Sequence, residues 1–170
     1  MMQRLLCTIG FTGKTAEEFF TLLSNAGVQQ VIDIRQNRSG QLSGFSKHPD
    51  LSFFLRKIAG VEYRHEPLLA PAPELLKTYR RTKDWPSYET FFLAAMKERR
   101  VPASLDTSSW SPHVSLLCSE PGPEKCHRRL VADLLAGYWR EQGYAVEIRH
   151  LISSRQKSAK PRRNSGGVAS

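Results

Sequence analysis

Residues 5–34 read as strand, helix and strand within about thirty residues, and that alternation constrains the fold more than any other feature of the chain. Leu5 to Ile9 form a short apolar run closed by Gly10. Thr15 follows, with Glu18 three residues on, the spacing of a capping box. Phe19, Leu22, Leu23 and Ala26 repeat at helical spacing, and Gly27 fits the stop. Val28 to Ile34 are apolar and β-branched, a second strand. Two strands joined through a helix this short must run parallel, with a right-handed crossover.

The same alternation continues. Leu51, Phe54, Leu55 and Ile58 predict a helix ending at Gly60, and Val61, Glu62 and Tyr63 a short strand. Helices are expected near residues 74–81 and 88–98, a strand at 114–118, a long helix at 124–142 and a last strand at 145–148. Residues 35–47 and 104–112 have no apolar period and read as loops. The expected fold is therefore α/β: a single compact three-layer domain with a mostly parallel sheet, over residues 1–152.

Residues 153–170 differ from the rest. They hold Arg155, Lys157, Lys160, Arg162 and Arg163 without an acid, among Ser, Gly and Pro, and are expected to form a disordered basic tail. Removing these five cations from the formal +9 leaves +4 on the body. Such a tail either solvates the chain or attracts nucleic acid and other polyanions. No apolar run approaches the roughly 18 residues of a membrane span, and the N-terminal apolar run is too short for a secretory signal. Three cysteines at irregular spacing do not make a disulfide framework; reduced thiols in a cytoplasmic protein are expected.

The chemistry concentrates in residues 116–130, Leu-Leu-Cys-Ser-Glu-Pro-Gly-Pro-Glu-Lys-Cys-His-Arg-Arg-Leu. A strand, a Pro/Gly turn and a helix start here carry two thiols, two carboxylates, an imidazole and two guanidiniums, far more than a connection needs. In an open α/β sheet, ligands bind outside the carboxyl ends of the strands. Gly10, Asp33, Arg35, Tyr63, Cys118 and Glu120 stand at such ends, and a helix N-terminus beside them suits an anion.

Each residue has a role to be tested. Arg35 and Arg128 are the candidate anion ligands. Asp33 and Arg35 are expected to diverge at the strand end, with Arg35 entering the crevice. His127 shares a helix face with Leu130, Val131 and Leu134 and so points inward, for proton transfer or as a core histidine. Cys126, in the first helical turn, is a candidate nucleophile or support, with small buried hydrophobe as the other reading. Glu120 is a candidate base or orienting group, or a salt-bridge partner of Arg128 or Arg129. Tyr63 and Cys118 are candidate ligand contacts, with packing as the plainer role, and Cys7 belongs to the core.

Several familiar arrangements are missing. At the arginine position of a cysteine-phosphatase loop stand Glu124 and Ala132. The zinc deaminase, dinucleotide and P-loop patterns do not occur. Cys118, Cys126 and His127 are three metal-type side chains, but their spacing matches no closed zinc pattern and no fourth ligand is evident, so no metal is expected and the cofactor stays unassigned.

Thr8-Ile9-Gly10-Phe11-Thr12, Asp33-Ile34-Arg35, Cys118-Ser119-Glu120 and Cys126-His127-Arg128 occur in that order, with seven residues between the last two cysteines. Over residues 5–151 this resembles the bacterial and archaeal family catalogued as domain of unknown function 488. The resemblance implies a compact α/β fold and a cytoplasmic protein, and no particular activity. Where relatives often carry Leu-Gly-Gly, this chain has Leu68-Leu69-Ala70-Pro71, a stiffer backbone beside the expected pocket. The leading expectation is an enzyme or ligand-binding domain for an anionic, nucleotide-like or phosphorylated ligand. A nucleic-acid-binding or -modifying protein and a non-catalytic sensing or scaffold module are the alternatives, and Glu120, His127 and Arg128 also make sense as a buried network fixing the turn.

Overall fold

The computed structural model describes residues 1–39 and 44–154. The basic residues of the tail, and part of the loop expected at 35–47, lie outside the described residues. The described chain ends just past Ser153, whose side chain is buried.

Five strands form one parallel sheet: β1 (Gln3–Gly10), β2 (Gln30–Asp33), β3 (Glu62–His65), β4 (His113–Cys118) and β5 (Ala145–Leu151), in the order β3-β2-β4-β1-β5. Among the described residues five α-helices, with short 3-10 turns between them, join the strands: α1 (Ala16–Asn25), α2 (Asp50–Phe54, continued by a π-helical turn over Leu55–Ala59), α3 (Pro73–Thr82), α4 (Trp85–Glu98) and α5 (His127–Glu141). The expected capping box is present: Thr15 Oγ1 accepts from the Glu18 N–H at 3.1 Å, and the Glu18 carboxylate accepts from the Thr15 N–H at 2.9 Å. β1 and β2 are parallel as expected, yet they are not neighbours, because β4 lies between them.

Strand periodicity builds the layers. Leu6, Ile32 and Leu116 point to one face, where they pack with Phe92 of α4 and Leu130, Val131 and Trp139 of α5. Cys7, Val31 and Leu117, each one residue along its strand, point to the other, against Phe19, Phe20 and Leu23 of α1 and Leu51 of α2. Each fully buried side chain of this size stabilises the fold by roughly 1.5–3 kcal/mol.

Strand order also decides where the surface opens. From β1 the chain moves through β2 to the β3 edge, then returns through β4 to β5 at the other edge. Right-handed crossovers therefore put α1 and α2 on one face and α3 to α5 on the other. The connections leaving β2 and β4 diverge, and a crevice opens between those two strand ends.

The long helix starts later than its sequence suggests. Residues 121–126 form turns, and α5 begins at His127 with Cys126 as its N-cap in an extended conformation (φ −141°, ψ 136°). Arg128, in the first turn, reaches back to the carbonyls of Glu120 (2.6 Å) and Pro121 (3.3 Å), so this segment wraps the guanidinium instead of extending the helix.

Candidate functional site

The crevice between β2 and β4 is a cleft of about 290 Å³. Its floor is Cys118, Cys126 and His127, with Ser119 and Glu120 beside them. Arg35, Gln36 and Asn37 line the β2 side, with Pro71 and Pro73 from the connection into α3. Tyr79, Arg80 and Lys83 come from the end of α3, Trp85 and Tyr88 from the start of α4, and Lys125 from the turn before α5. A larger hollow of about 540 Å³ lies at the opposite, amino-terminal end of β1 and β5, among Gln3, Arg4, His113, Glu147 and Arg149; no thiol lines it.

His127 is held from both sides. Its Nε2 is 3.0 Å from the carbonyl oxygen of Ile34, just past β2, and its Nδ1 is 3.5 Å from Cys118 Sγ at the end of β4. A carbonyl only accepts, so Nε2 carries the proton and Nδ1 is turned to the sulfur. Phe92 packs against the ring, centroid to centroid 5.6 Å. The donor atoms of Cys118, Cys126 and His127 all lie within 4.8 Å of one another, on three buried residues.

The two floor thiols have opposite character. A hydrogen bond from Cys126 lowers Cys118 well below the ordinary thiol range; burial opposes this, and the His127 imidazole and the Glu120 N–H reinforce it. Cys126 is raised well above that range by burial and by Cys118. For His127, burial disfavours the imidazolium, but the charge and hydrogen bond of Cys118 and the Ile34 carbonyl outweigh it, and the group is raised. Glu120 is an exposed rim residue whose carboxyl is raised by partial desolvation and by Cys118, against the pull of Arg128, Lys83 and Arg80.

Asp33 and Arg35 do not diverge. Residues two apart on a strand share a face, and here the buried Asp33 carboxylate receives Arg35 Nε (2.9 Å), Nη2 (2.8 Å) and its backbone N–H (3.1 Å). The Tyr63 hydroxyl donates to the same carboxylate at 2.7 Å. Burial and the Asp33 charge push the Tyr63 phenol up to about 12. Arg35 borders the cleft with its head group engaged, and Tyr63 is not among the lining residues. Arg128 is not among them either. It is completely buried, with Nη1 on the Glu120 carbonyl and 3.6 Å from Cys126 Sγ.

Gly10, at the end of β1, makes the Arg128 arrangement fit. A Cβ there would collide with the Glu120 carbonyl oxygen and sit 2.8 Å from Arg128 Nη1. Of the expected site residues, Cys118, Glu120, Cys126, His127 and Arg35 converge on the cleft, while Tyr63 and Arg128 stand behind its walls. Sequence reasoning missed the α3–α4 wall. Trp85 stacks on Tyr88 (5.2 Å, 26° between planes), and Tyr79 adjoins both at 5.7 and 4.9 Å. The signal was there: Tyr79-Arg80-Arg81-Thr82-Lys83-Asp84-Trp85 interleaves cations with aromatics.

The family model described as domain of unknown function DUF488 matches residues 15–135. The chain belongs to that family. The matched region contains Asp33-Ile34-Arg35, Cys118-Ser119-Glu120 and Cys126-His127-Arg128, whereas the Thr8–Thr12 opening precedes it. No curated protein and no solved structure matches the chain. Among the described residues, no helix is long and apolar enough to cross a membrane.

Proposed function

We propose that this DUF488 protein is an enzyme whose active site is the β2–β4 cleft and whose ligand is anionic, flat and nucleotide-like. The observation that carries this reading is the Cys118–His127 contact, 3.5 Å from Sγ to Nδ1, on the floor of a cleft also lined by Arg80, Lys83 and Lys125. The sulfur and imidazole are buried and mutually oriented, the arrangement of a reactive centre. Cys126 supports Cys118, and Glu120 and His127 carry proton transfer.

The rim defines the ligand class. Exposed Arg80, Lys83 and Lys125 supply positive charge without a carboxylate partner holding their head groups among the ion pairs of the described residues. Tyr79 and Trp85 offer aromatic surface, with the buried Tyr88 stacked between Trp85 and Phe92 behind them, and base–aromatic stacking contributes about 1–3 kcal/mol per base. A nucleoside phosphate uses both, whereas phosphate alone uses only the cations. A cytoplasmic location belongs to the same reading, supported by three free cysteines.

Calorimetric titration tests it, with a panel of nucleoside monophosphates, the matching nucleosides, inorganic phosphate and a short single-stranded oligonucleotide. A monophosphate is expected to bind roughly tenfold or more tightly than either its nucleoside or phosphate, since a charge-assisted hydrogen bond is worth about 1.5–3 kcal/mol. Trp85→Ala and a Lys83→Ala/Lys125→Ala pair should each weaken it. No saturable binding by any member, or binding indifferent to these substitutions, overturns the reading. Tightest binding by the oligonucleotide reassigns the cleft to nucleic acid.

A further inference from the structure

We propose that the cleft floor is a binding site for one thiophilic divalent ion of the zinc class, held by Cys118 Sγ, Cys126 Sγ and His127 Nδ1. The inference rests on the reading of this cleft as the working site and assigns what its floor binds; with the ion in place Cys118, Cys126 and His127 serve as its ligands, and proton transfer falls to Glu120 at the rim. All three donor atoms lie within 4.8 Å of one another, close enough to share one ion. The Cys118 Sγ to His127 Nδ1 separation is 3.5 Å. A tetrahedral ion with metal–sulfur and metal–nitrogen bonds of about 2.3 and 2.0 Å needs a sulfur–nitrogen edge of about 3.5 Å, so this edge is already in place and Cys126 Sγ closes on it from within 4.8 Å.

The surroundings match a metal site in three further ways. Metal-bound histidines characteristically donate their second ring N–H to a carbonyl or carboxylate, which fixes the tautomer and aims the other nitrogen. The Ile34 carbonyl does this for His127 Nε2 at 3.0 Å, leaving Nδ1 aimed at Cys118 Sγ. Arg128 Nη1, 3.6 Å from Cys126 Sγ, is an outer donor to a thiolate ligand. Burial of all three ligands excludes the water that would compete with soft donors.

Donor identity selects the ion. Two thiolates and an imidazole favour zinc-like ions over magnesium or calcium, which take oxygen. Two thiolates also neutralise a divalent charge inside the protein. The sequence spacing matches no closed four-ligand pattern because one ligand ends a strand and the others open a helix. A set of three protein ligands leaves one position open, and since all three line the cleft, that position borders the ligand space beside Glu120.

The test uses the full chain, stripped with a chelator under reducing conditions, then titrated with Zn²⁺ and separately with Co²⁺ as a spectroscopic probe. One ion per chain is expected, with thiolate-to-cobalt charge-transfer absorption and the intense visible bands of a tetrahedral site. Cys118→Ser and Cys126→Ser should each lower affinity at least tenfold. X-ray absorption on the zinc-loaded wild type should show two sulfur neighbours, and it decides the matter if a variant fails to fold. Absent charge-transfer bands, no sulfur in the zinc shell, or stoichiometric binding retained in both folded serine variants overturns the proposal. Nucleotide binding to stripped and loaded protein is measured alongside. Binding that persists without any metal uptake sinks the ion and spares the pocket; metal uptake with no ligand affinity does the reverse.

Discussion

The imidazole of His127 bridges the ends of two adjacent strands, its Nε2 on the Ile34 carbonyl at 3.0 Å and its Nδ1 on Cys118 Sγ at 3.5 Å. One side chain at the start of α5 thereby fixes the gap between β2 and β4, where the diverging crossovers leave the sheet uncovered. The expectation follows that His127→Phe, which keeps the packing on Phe92, takes the imidazole donor from the Ile34 carbonyl and leaves Cys118 with only Cys126 and the Glu120 N–H. Urea denaturation should show a loss of about 1–3 kcal/mol. An unchanged midpoint would mean that the bridge has no structural weight.

Arg128 is a buried cation held by backbone oxygens of the loop it supports. Arg128→Met removes two charge-assisted bonds and leaves the Glu120 and Pro121 carbonyls unmet, for an expected loss of about 2–4 kcal/mol. Arg128→Lys should restore little, because an ammonium cannot reproduce the planar fork. Full recovery by lysine in a urea melt would show that charge alone matters.

Gly10→Ala tests the same loop from the strand side. The new Cβ would meet the Glu120 carbonyl oxygen and Arg128 Nη1, and backbone cannot swing aside as a flexible side chain does. A loss of about 1–3 kcal/mol is expected, as for other overpacked sites. The double variant with Arg128→Met should lose less than the sum of the single losses, since both disturb one loop. Strict additivity in the double-mutant cycle contradicts that coupling.

Tyr63 makes stability fall at high pH. Its phenol is pushed up to about 12 in the folded chain, by burial and by Asp33, from an ordinary value near 10. The folded state thus holds the proton more tightly than the unfolded state. The contribution is complete below about pH 10 and is lost as pH rises through 12. Denaturant midpoints measured from pH 9 to 11.5 should fall less steeply in Tyr63→Phe than in the wild type. Identical slopes would show that Tyr63 titrates normally.

Asp33 holds the two remaining groups at this strand end. Asp33→Asn removes the charge that faces the buried Arg35 guanidinium and the Tyr63 hydroxyl. Breaking a buried pair from one side costs about 3–5 kcal/mol, because the other charge stays buried and unpaired. Thermal denaturation should show the largest single loss of this group, and a loss under about 1 kcal/mol would place Arg35 in solvent instead.

The chain itself determined the local elements and the place of the chemistry. Apolar period and stop residues mark strands and helices whose causes lie within a few neighbours, as the Thr15–Glu18 capping box shows. The Pro/Gly turn carries Cys118 and His127 only nine residues apart, so their meeting is nearly local. Tertiary structure decided the rest. That β4 enters between β1 and β2 is a pairing of distant segments, invisible to any window of residues, yet it creates the crevice. The Ile34 carbonyl reaches His127 across 93 positions, and Asp33 meets Tyr63 across 30. Such contacts follow from strand order and crossover hand. They turn Tyr63 toward Asp33 and the aromatic wall of α3 and α4 toward the floor thiols, whereas Arg35 meets Asp33, and Arg128 its own loop, within a few residues of chain.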